Sequence, residues 1–406
     1  MDTGGKIRTG KLLEKLKDTF DITLISNVES PKDDPYLDRI KNLCAQFHPV
    51  PWKEASKYSC HFYLKILVRA FSRYPVTVLN DYSAALERKI EELVEHGRYD
   101  LLICDFLQSS LNFRRVVGHP TVLFQHNVES TIAKRHFERA GSQLSKCFWW
   151  SQWQKMLRHE KKACSFFDGV IAVSEGDKAI LEKEFGAKNV FAIPTGIDTM
   201  YFSSAEEAPE NDTLIFTGSM DWLPNQDAIL FFARDILGRI KAVIPRIKLA
   251  VVGRNPSARL VNELKQYPEI DIVGRVEDVR PFISRNTLFI IPLRIGGGTR
   301  IKVYEAMSMG KAVISTSVGV EGLPVRHGEH VMVADKPEDF AGAVVALLKD
   351  VQARRRLEIS ARNFVENNFS WELTAKVFEN ICRHVAGVGA LSADRMSLKK
   401  LRAREI

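Results

Sequence analysis

Short apolar runs alternate with stretches of helical period along nearly the whole chain. In the first half they predict strands at residues 22–26, 101–104, 121–124, 170–173 and 190–193. In the second half they predict strands at 213–217, 248–252, 271–273, 288–291 and 312–315. A run that is apolar at every position, such as Leu288-Phe289-Ile290-Ile291, fits a strand covered on both faces. Strands separated by helices run parallel, so the fold class is α/β, with a doubly wound sheet in each half. The polar stretch at 199–211 reads as a linker between a first domain at 1–198 and a second at 212–370. A last helix at 371–386 is expected to pack back on the first domain, ahead of a basic tail at 387–406. One departure stands at the start. Gly4-Gly5 precede a helix predicted at 11–17, and a glycine turn of this kind normally follows a strand. The expectation is a start that omits the first strand, or else a sheet lacking one member.

The most informative local pattern is at residues 292–306. A buried-looking strand runs into Gly296, Gly297 and Gly298, then into a helix expected to begin near Thr299 with Arg300 and Lys302 at its head. Three missing Cβ atoms let a ligand approach the backbone. The free N–H groups and dipole of a helix start favour an anion. Glu305, further along that helix, could accept hydrogen bonds from hydroxyls. A phosphate loop followed by a hydroxyl acceptor is the layout of a nucleotide-sugar site. Arg300 and Lys302, two apart, splay to different faces; Arg300, nearer the helix start, is the preferred phosphate ligand. Gly218-Ser219 also lie between a strand and a helix and are read as nucleotide contacts. In the first half, His126 follows a strand and becomes the candidate there, with Asp105 and Glu129 as weaker candidates for orienting an acceptor.

Composition narrows the class. A 406-residue chain with 45% hydrophobic and 27% charged residues suits two globular domains. It holds no apolar run long enough to span a bilayer, and its opening residues lack a signal peptide's apolar core, so a cytoplasmic location is expected. Six scattered cysteines without a C-x-x-C pair fit reduced thiols and argue against structural zinc. The net charge of +8 concentrates in two segments that interleave cations with aromatic and aliphatic residues. Residues 53–73 carry Lys53, Lys57, Lys65, Arg69 and Arg73; residues 134–162 carry Phe148, Trp149, Trp150 and Trp153 among basic side chains. Both fit helices lying on an anionic membrane surface, or amphipathic helices packed on their own domain; the four aromatics, too many for one core stripe, tilt the second segment toward lipid.

Several motifs then resemble one family. Gly218-Ser219-Met220-Asp221-Trp222-Leu223-Pro224-Asn225, Val252-Gly253-Arg254-Asn255-Pro256 and residues 292–310 are similar to bacterial glycosyltransferases of family 4, of the GT-B type. Within it they look like the branch associated with exopolysaccharide clusters. Gln125-His126-Asn127-Val128-Glu129, Ala172-Val173-Ser174-Glu175 and Pro194-Thr195-Gly196-Ile197-Asp198 belong to the same pattern, which spans roughly residues 3–380. The resemblance implies two Rossmann-like doubly wound domains facing across a cleft, with the donor held mainly by the second. It implies retention of configuration, a nucleotide diphosphate sugar as donor substrate, no permanently bound cofactor and no catalytic metal. Glu305 matches the second of the family's two signature glutamates, expected on the ribose. The first would stand at position 297, which is glycine, so the backbone of Gly296, Gly297, Gly298 and Thr299 is expected to take over its role. A basic residue that many relatives carry after the first glycine loop is replaced by Pro224-Asn225, leaving Arg300, Lys302 and Arg254 for the diphosphate.

By the same resemblance, the backbone of Gly274, Arg275 and Val276 reads the base, His126 lies near the reacting carbon, and Gly4 and Gly5 form the first glycine loop. The expected reaction moves a sugar to a saccharide acceptor, expected to be lipid-linked, in exopolysaccharide or cell-envelope polysaccharide synthesis. Arg300 and the helix-end N–H groups would stabilise the charge that grows on the departing phosphate. The rivals are a nonhydrolysing nucleotide-sugar epimerase, which needs no acceptor, and a silent nucleotide-sugar-binding subunit. No G-x-G-x-x-G follows a strand, which disfavours a dehydrogenase, and no nucleic-acid-binding module is present.

Overall fold

The computed structural model of the chain describes residues 4–53, 60–203, 209–295 and 300–389. The chain divides into two compact units, one of Met1–Pro194 with Thr374–Ile406, the other of Thr195–Leu373.

The first unit holds two parallel sheets among its described residues. Strands β1 (Thr23–Val28) and β2 (Gln46–Pro51) pair with each other; β3 (Leu102–Asp105), β4 (Thr121–Phe124), β5 (Gly169–Ala172) and β6 (Val190–Ala192) form a second sheet in that order. Every residue of β4 and β5 is buried, which is why these strands are apolar but for Thr121, whose hydroxyl is bonded to Asp168. Strand β2 was not expected from the pattern. Its Pro49 and Pro51 cannot donate to a ladder, and they are tolerated because β2 pairs on one side only. The C-terminal helix Trp371–Gly389 lays Phe378 edge-on against Phe124, with ring centroids 5.3 Å apart. It also crowds β5, since a Cβ on Gly169 would fall 2.9 Å from Val385.

The opening helix corrects one expectation. It spans Gly4–Leu16, so Gly4 and Gly5 form its first turn rather than a loop ahead of a helix at 11–17. Gly5 serves packing: a Cβ there would lie 2.6 Å from the Phe106 ring.

The second unit is a six-stranded, all-parallel sheet. Its strands are β7 (Glu210–Thr217), β8 (Lys248–Val252), β9 (Ile270–Gly274), β10 (Asn286–Ile291), β11 (Ala312–Ser315) and β12 (Met332–Val333). Their spatial order is β12-β11-β10-β7-β8-β9. The chain thus grows outward from β7 through β8 to β9, then crosses back to β10 and grows the other way. The order reverses between β7 and β10, and the carboxyl ends of these two strands define the switch point where open α/β sheets bind ligands. Strand β10 is buried at all six positions and anchors the core.

Candidate functional site

The loops leaving β7 and β10 at that switch point each carry a glycine motif. Past the end of β7 the ladder continues through the loops: Gly218 N–H donates to Val252 O at 2.9 Å, and Gly253 N–H to Gly274 O at 2.9 Å. Three glycines thus stand side by side where β7, β8 and β9 end. A Cβ on Gly253 would sit 1.7 Å from the Gly218 carbonyl, so no other residue fits without displacing backbone. Gly274 holds φ +82°, a conformation that favours glycine.

A polar cluster closes over this edge. The Lys302 ammonium donates to Asn225 Oδ1 at 3.1 Å and lies 4.4 Å from the Phe216 ring centroid. Asn225 Nδ2 donates to the Ser219 carbonyl at 2.8 Å. A Cβ on Gly218 would meet Lys302 Nζ at 2.8 Å, which places that cation against the first glycine loop. Arg254 Nε donates to Ser219 Oγ at 3.0 Å, and Ser219 Oγ donates to Asp221 at 2.7 Å.

The helix that follows the glycine run in the sequence begins at Ile301, with Arg300 as its N-cap. Arg300 is buried, 4.0 Å from Glu321. Gly296, Gly297, Gly298 and Thr299 lie outside the described residues. Just before them, Arg294 is tied to Asp227 by two hydrogen bonds of 3.0 and 2.6 Å, fixing the strand exit to the helix Leu223–Phe231. Burial pushes the Glu305 carboxyl up to about 7, with the charge of Lys302 pulling the other way. Burial also draws the Lys302 ammonium down to about 7, opposed by Glu305 and reinforced by Arg300. Arg275 is exposed, while Val276 packs against the core.

The first unit gathers a second cluster where β3 and β4 end. His126 is stacked on Phe106, with centroids 4.1 Å apart, and tilted on Phe124 at 4.2 Å. Phe106 pays for this with a positive φ of 68°, uncommon for so bulky a residue. His126 Nε2 lies 2.7 Å from Asp105 Oδ1, and Thr9 Oγ1 donates to Asp105 Oδ2 at 2.7 Å. Arg8 Nη1 lies 3.1 Å from His126 Nδ1. Glu129 stands at the start of the next helix, its carboxyl raised by burial and lowered in part by Gln108.

The loop bearing His126 is itself held from below. Glu160, fully buried on the helix Gln143–Phe166, accepts from Glu129 N–H at 2.9 Å, from Ser130 N–H at 3.0 Å and from the Gln125 amide. Val128 occupies the N-cap of the helix Glu129–Arg139 and cannot satisfy those donors, so Glu160 caps it from another helix.

Sequence reasoning named Gly218, Ser219, Arg254, Lys302 and Glu305, and the structure groups Gly218, Ser219, Arg254 and Lys302 at one sheet edge with Glu305 one turn beyond Lys302. It named Gly5, Asp105 and His126, and they also meet. Asn225, Arg8, Thr9 and Glu160 were missed. The G-G-x-x-R spacing of Gly4 to Arg8 was the one signal that might have flagged Arg8.

Twin Rossmann-like units define the GT-B architecture. Residues 12–201 match the family profile described as Glycosyltransferase Family 4, and residues 211–350 the profile described as Glycosyl transferases group 1. The chain belongs to these GT-B glycosyltransferases. It is 22% identical over 390 residues to an uncharacterized 44.6 kDa protein in the cps region of Klebsiella pneumoniae, covering 93% of this chain and 95% of that one. It is 23% identical over 283 residues to a GDP-mannose-dependent monoacylated phosphatidylinositol monomannoside mannosyltransferase of Corynebacterium glutamicum, covering 63% of this chain and 71% of the relative. The solved structure of Anabaena HepE with UDP superposes with TM-score 0.65 at 13% identity, covering 95% of this chain and 97% of that one. A sucrose-phosphate synthase of Thermosynechococcus elongatus superposes with TM-score 0.64 at 17% identity, covering 94% and 93%. At such identities the two superpositions speak to the fold.

Proposed function

We propose that this protein is a retaining, metal-independent glycosyltransferase that moves a sugar from a nucleotide diphosphate sugar to a lipid-linked saccharide in polysaccharide synthesis. One observation carries the donor half: Lys302, Asn225 and Gly218 meet at the switch point of the second sheet, one helical turn from Glu305. Lys302, with Arg300 and Arg254, binds the diphosphate, and its charge offsets the charge that builds on the leaving group. Glu305 accepts from the ribose hydroxyls. Gly274, Arg275 and Val276 read the base, and the bend of Gly296, Gly297, Gly298 and Thr299 cradles the phosphates and the donor sugar. HepE, solved with UDP, supports a uridine nucleotide as the first donor to test. The Klebsiella relative supports a polysaccharide setting, and the mannosyltransferase a lipid-borne acceptor. His126, Asp105, Glu129, Gly4 and Gly5 serve the acceptor side.

The test is a thermal-shift screen of UDP, GDP and their sugars, followed by acceptor-dependent release of nucleotide. A ligand of the folded state raises the transition, by about 2.7 kcal/mol of stabilisation at a hundredfold excess over Kd. No shift with any nucleotide sinks the reading. A shift without turnover on any acceptor makes the protein a silent binding subunit, and altered sugar released without acceptor makes it an epimerase.

A lipid-linked acceptor calls for a membrane-facing surface, and an exposed apolar helix face in the first unit supports that reading. No described helix is long and apolar enough to cross a membrane. The helix Cys60–Ala70, however, leaves Leu64, Leu67 and Val68 exposed, and Phe71 beyond it is 86% exposed. These positions follow the i, i+3, i+4, i+7 spacing of one helix face. On the helix Gln143–Phe166 the aromatics divide: Trp149 stacks on His136 and Trp153 on Phe137, while Trp150 and Leu144 stay exposed. The protein is expected to float with phosphatidylglycerol vesicles at low salt, and Leu67→Glu with Phe71→Glu to abolish flotation. Equal flotation of the double variant would remove the face from the proposal.

A further inference from the structure

Both ring nitrogens of His126 are engaged, and the chemistry of one partner decides which carries the proton. A guanidinium has donors only, so Arg8 Nη1, 3.1 Å from Nδ1, must donate to it. Nδ1 then holds a lone pair, and the proton sits on Nε2, where it is donated to Asp105 Oδ1 at 2.7 Å. The second Asp105 oxygen accepts from the Thr9 hydroxyl at 2.7 Å. Exposure is confined largely to one end of this chain of bonds. Arg8 is 6% exposed, the His126 side chain 2%, and the Asp105 side chain 30%. Asp105 is the member that a ligand can reach; the other groups stand behind it. With Nδ1 covered by a cation and Nε2 already protonated, the imidazole has no free nitrogen with which to take a proton.

We propose that Arg8 fixes His126 as its Nε2–H tautomer and thereby presents Asp105 as an oriented carboxylate to a hydroxyl of the sugar acceptor. Arg8, His126 and Thr9 are then positioning residues, and Asp105 is the group that meets the ligand. This rests on the glycosyltransferase reading for the identity of that ligand. The tautomer part does not depend on it.

The full chain, labelled with 15N in its histidines, gives the test in two arms. Long-range proton–nitrogen correlation spectra assign His126 by comparison with His126→Gln. Wild type is expected to show unprotonated Nδ1 and protonated Nε2; Arg8→Met is expected to shift both signals toward the average of the two tautomers, and Arg8→Lys, which keeps a cationic donor, to restore much of the wild-type pattern. Unchanged His126 signals in a folded Arg8→Met overturn the proposal; should that variant not fold, Asp105→Asn decides it, since with Arg8 in place the wild-type tautomer should hold, and its loss would show that Asp105 sets the tautomer and overturn the proposal. In the second arm, Arg8→Met is expected to lower kcat at least about tenfold while UDP affinity, measured by titration, stays within about twofold of wild type. Equal kcat in the two proteins overturns the orienting role. Loss of UDP binding in wild type itself fails the glycosyltransferase reading and leaves the tautomer result standing on its own.

Discussion

Glu160→Leu is expected to destabilise the first unit by about 3–5 kcal/mol, because three buried donors lose their shared acceptor at once. Each donor stranded away from water costs roughly 1–3 kcal/mol, and losses within one network fall short of their sum. The donors are Glu129 N–H and Ser130 N–H in the first turn of the helix after His126 and the Gln125 amide just before it. At about 2–4 °C per kcal/mol for a unit of this size, its unfolding transition should fall by roughly 6–20 °C. Glu160→Gln keeps one acceptor oxygen and should cost less. It also separates hydrogen bonding from charge. Burial pushes the Glu160 carboxyl up to about 7 from an ordinary value of 4.5. Between those values the folded state holds its proton more tightly than the unfolded state, so this group makes stability fall as pH rises from about 4.5 toward 7. Glu160→Gln has no such titration and should lose that part of the slope. A Glu160→Leu transition within about 2 °C of wild type would sink the capping role assigned here.

How much of this was legible beforehand depends on how local the cause is. Strands β4, β8 and β11 match the pattern residue for residue, because short runs of three or four apolar residues between turns leave few alternatives. Strand β12 has only two residues and leaves no periodic trace. β7 begins at Glu210, in a polar stretch whose strand conformation is imposed by pairing with β10. The switch point was implicit in the succession of strands and became visible only once their spatial order was known. Glu305 and Lys302 stood out because a glycine run, a helix start and charged residues fell within a few positions of one another. The partners that give them meaning did not. Lys302 meets Asn225 from 77 positions away, and Arg8 meets His126 from 118. Nothing within either neighbourhood marks such a pair, since asparagine after proline reads as an ordinary helix start. The burial that draws Glu305 and Lys302 together in pKa is likewise a property of the packed sheet edge and not of the helix that carries them.

That shared burial leads to the strongest expectation for the donor site: UDP affinity should peak near neutral pH, with each limb assigned to one residue. A diphosphate favours the charged form of Lys302, and ribose hydroxyls favour the charged form of Glu305. In the free protein both groups titrate near 7, the lysine drawn down and the carboxyl pushed up by burial. Above that value Lys302 is neutral before binding and must take up a proton, so affinity falls as pH rises. Below it Glu305 is protonated and must release one, so affinity falls as pH drops. Lys302→Met is expected to weaken UDP binding about 10- to 100-fold at neutral pH, the worth of a hydrogen bond to a charged group. It should also flatten the alkaline limb and leave the acid one. Glu305→Gln should do the reverse. Titration calorimetry in buffers of different ionisation enthalpy reads the proton count directly, and comparison with wild type cancels the titration of UDP itself. If Lys302→Met binds UDP as tightly as wild type and with the same alkaline limb, the cation at Gly218 is a structural filler and the diphosphate must be held elsewhere.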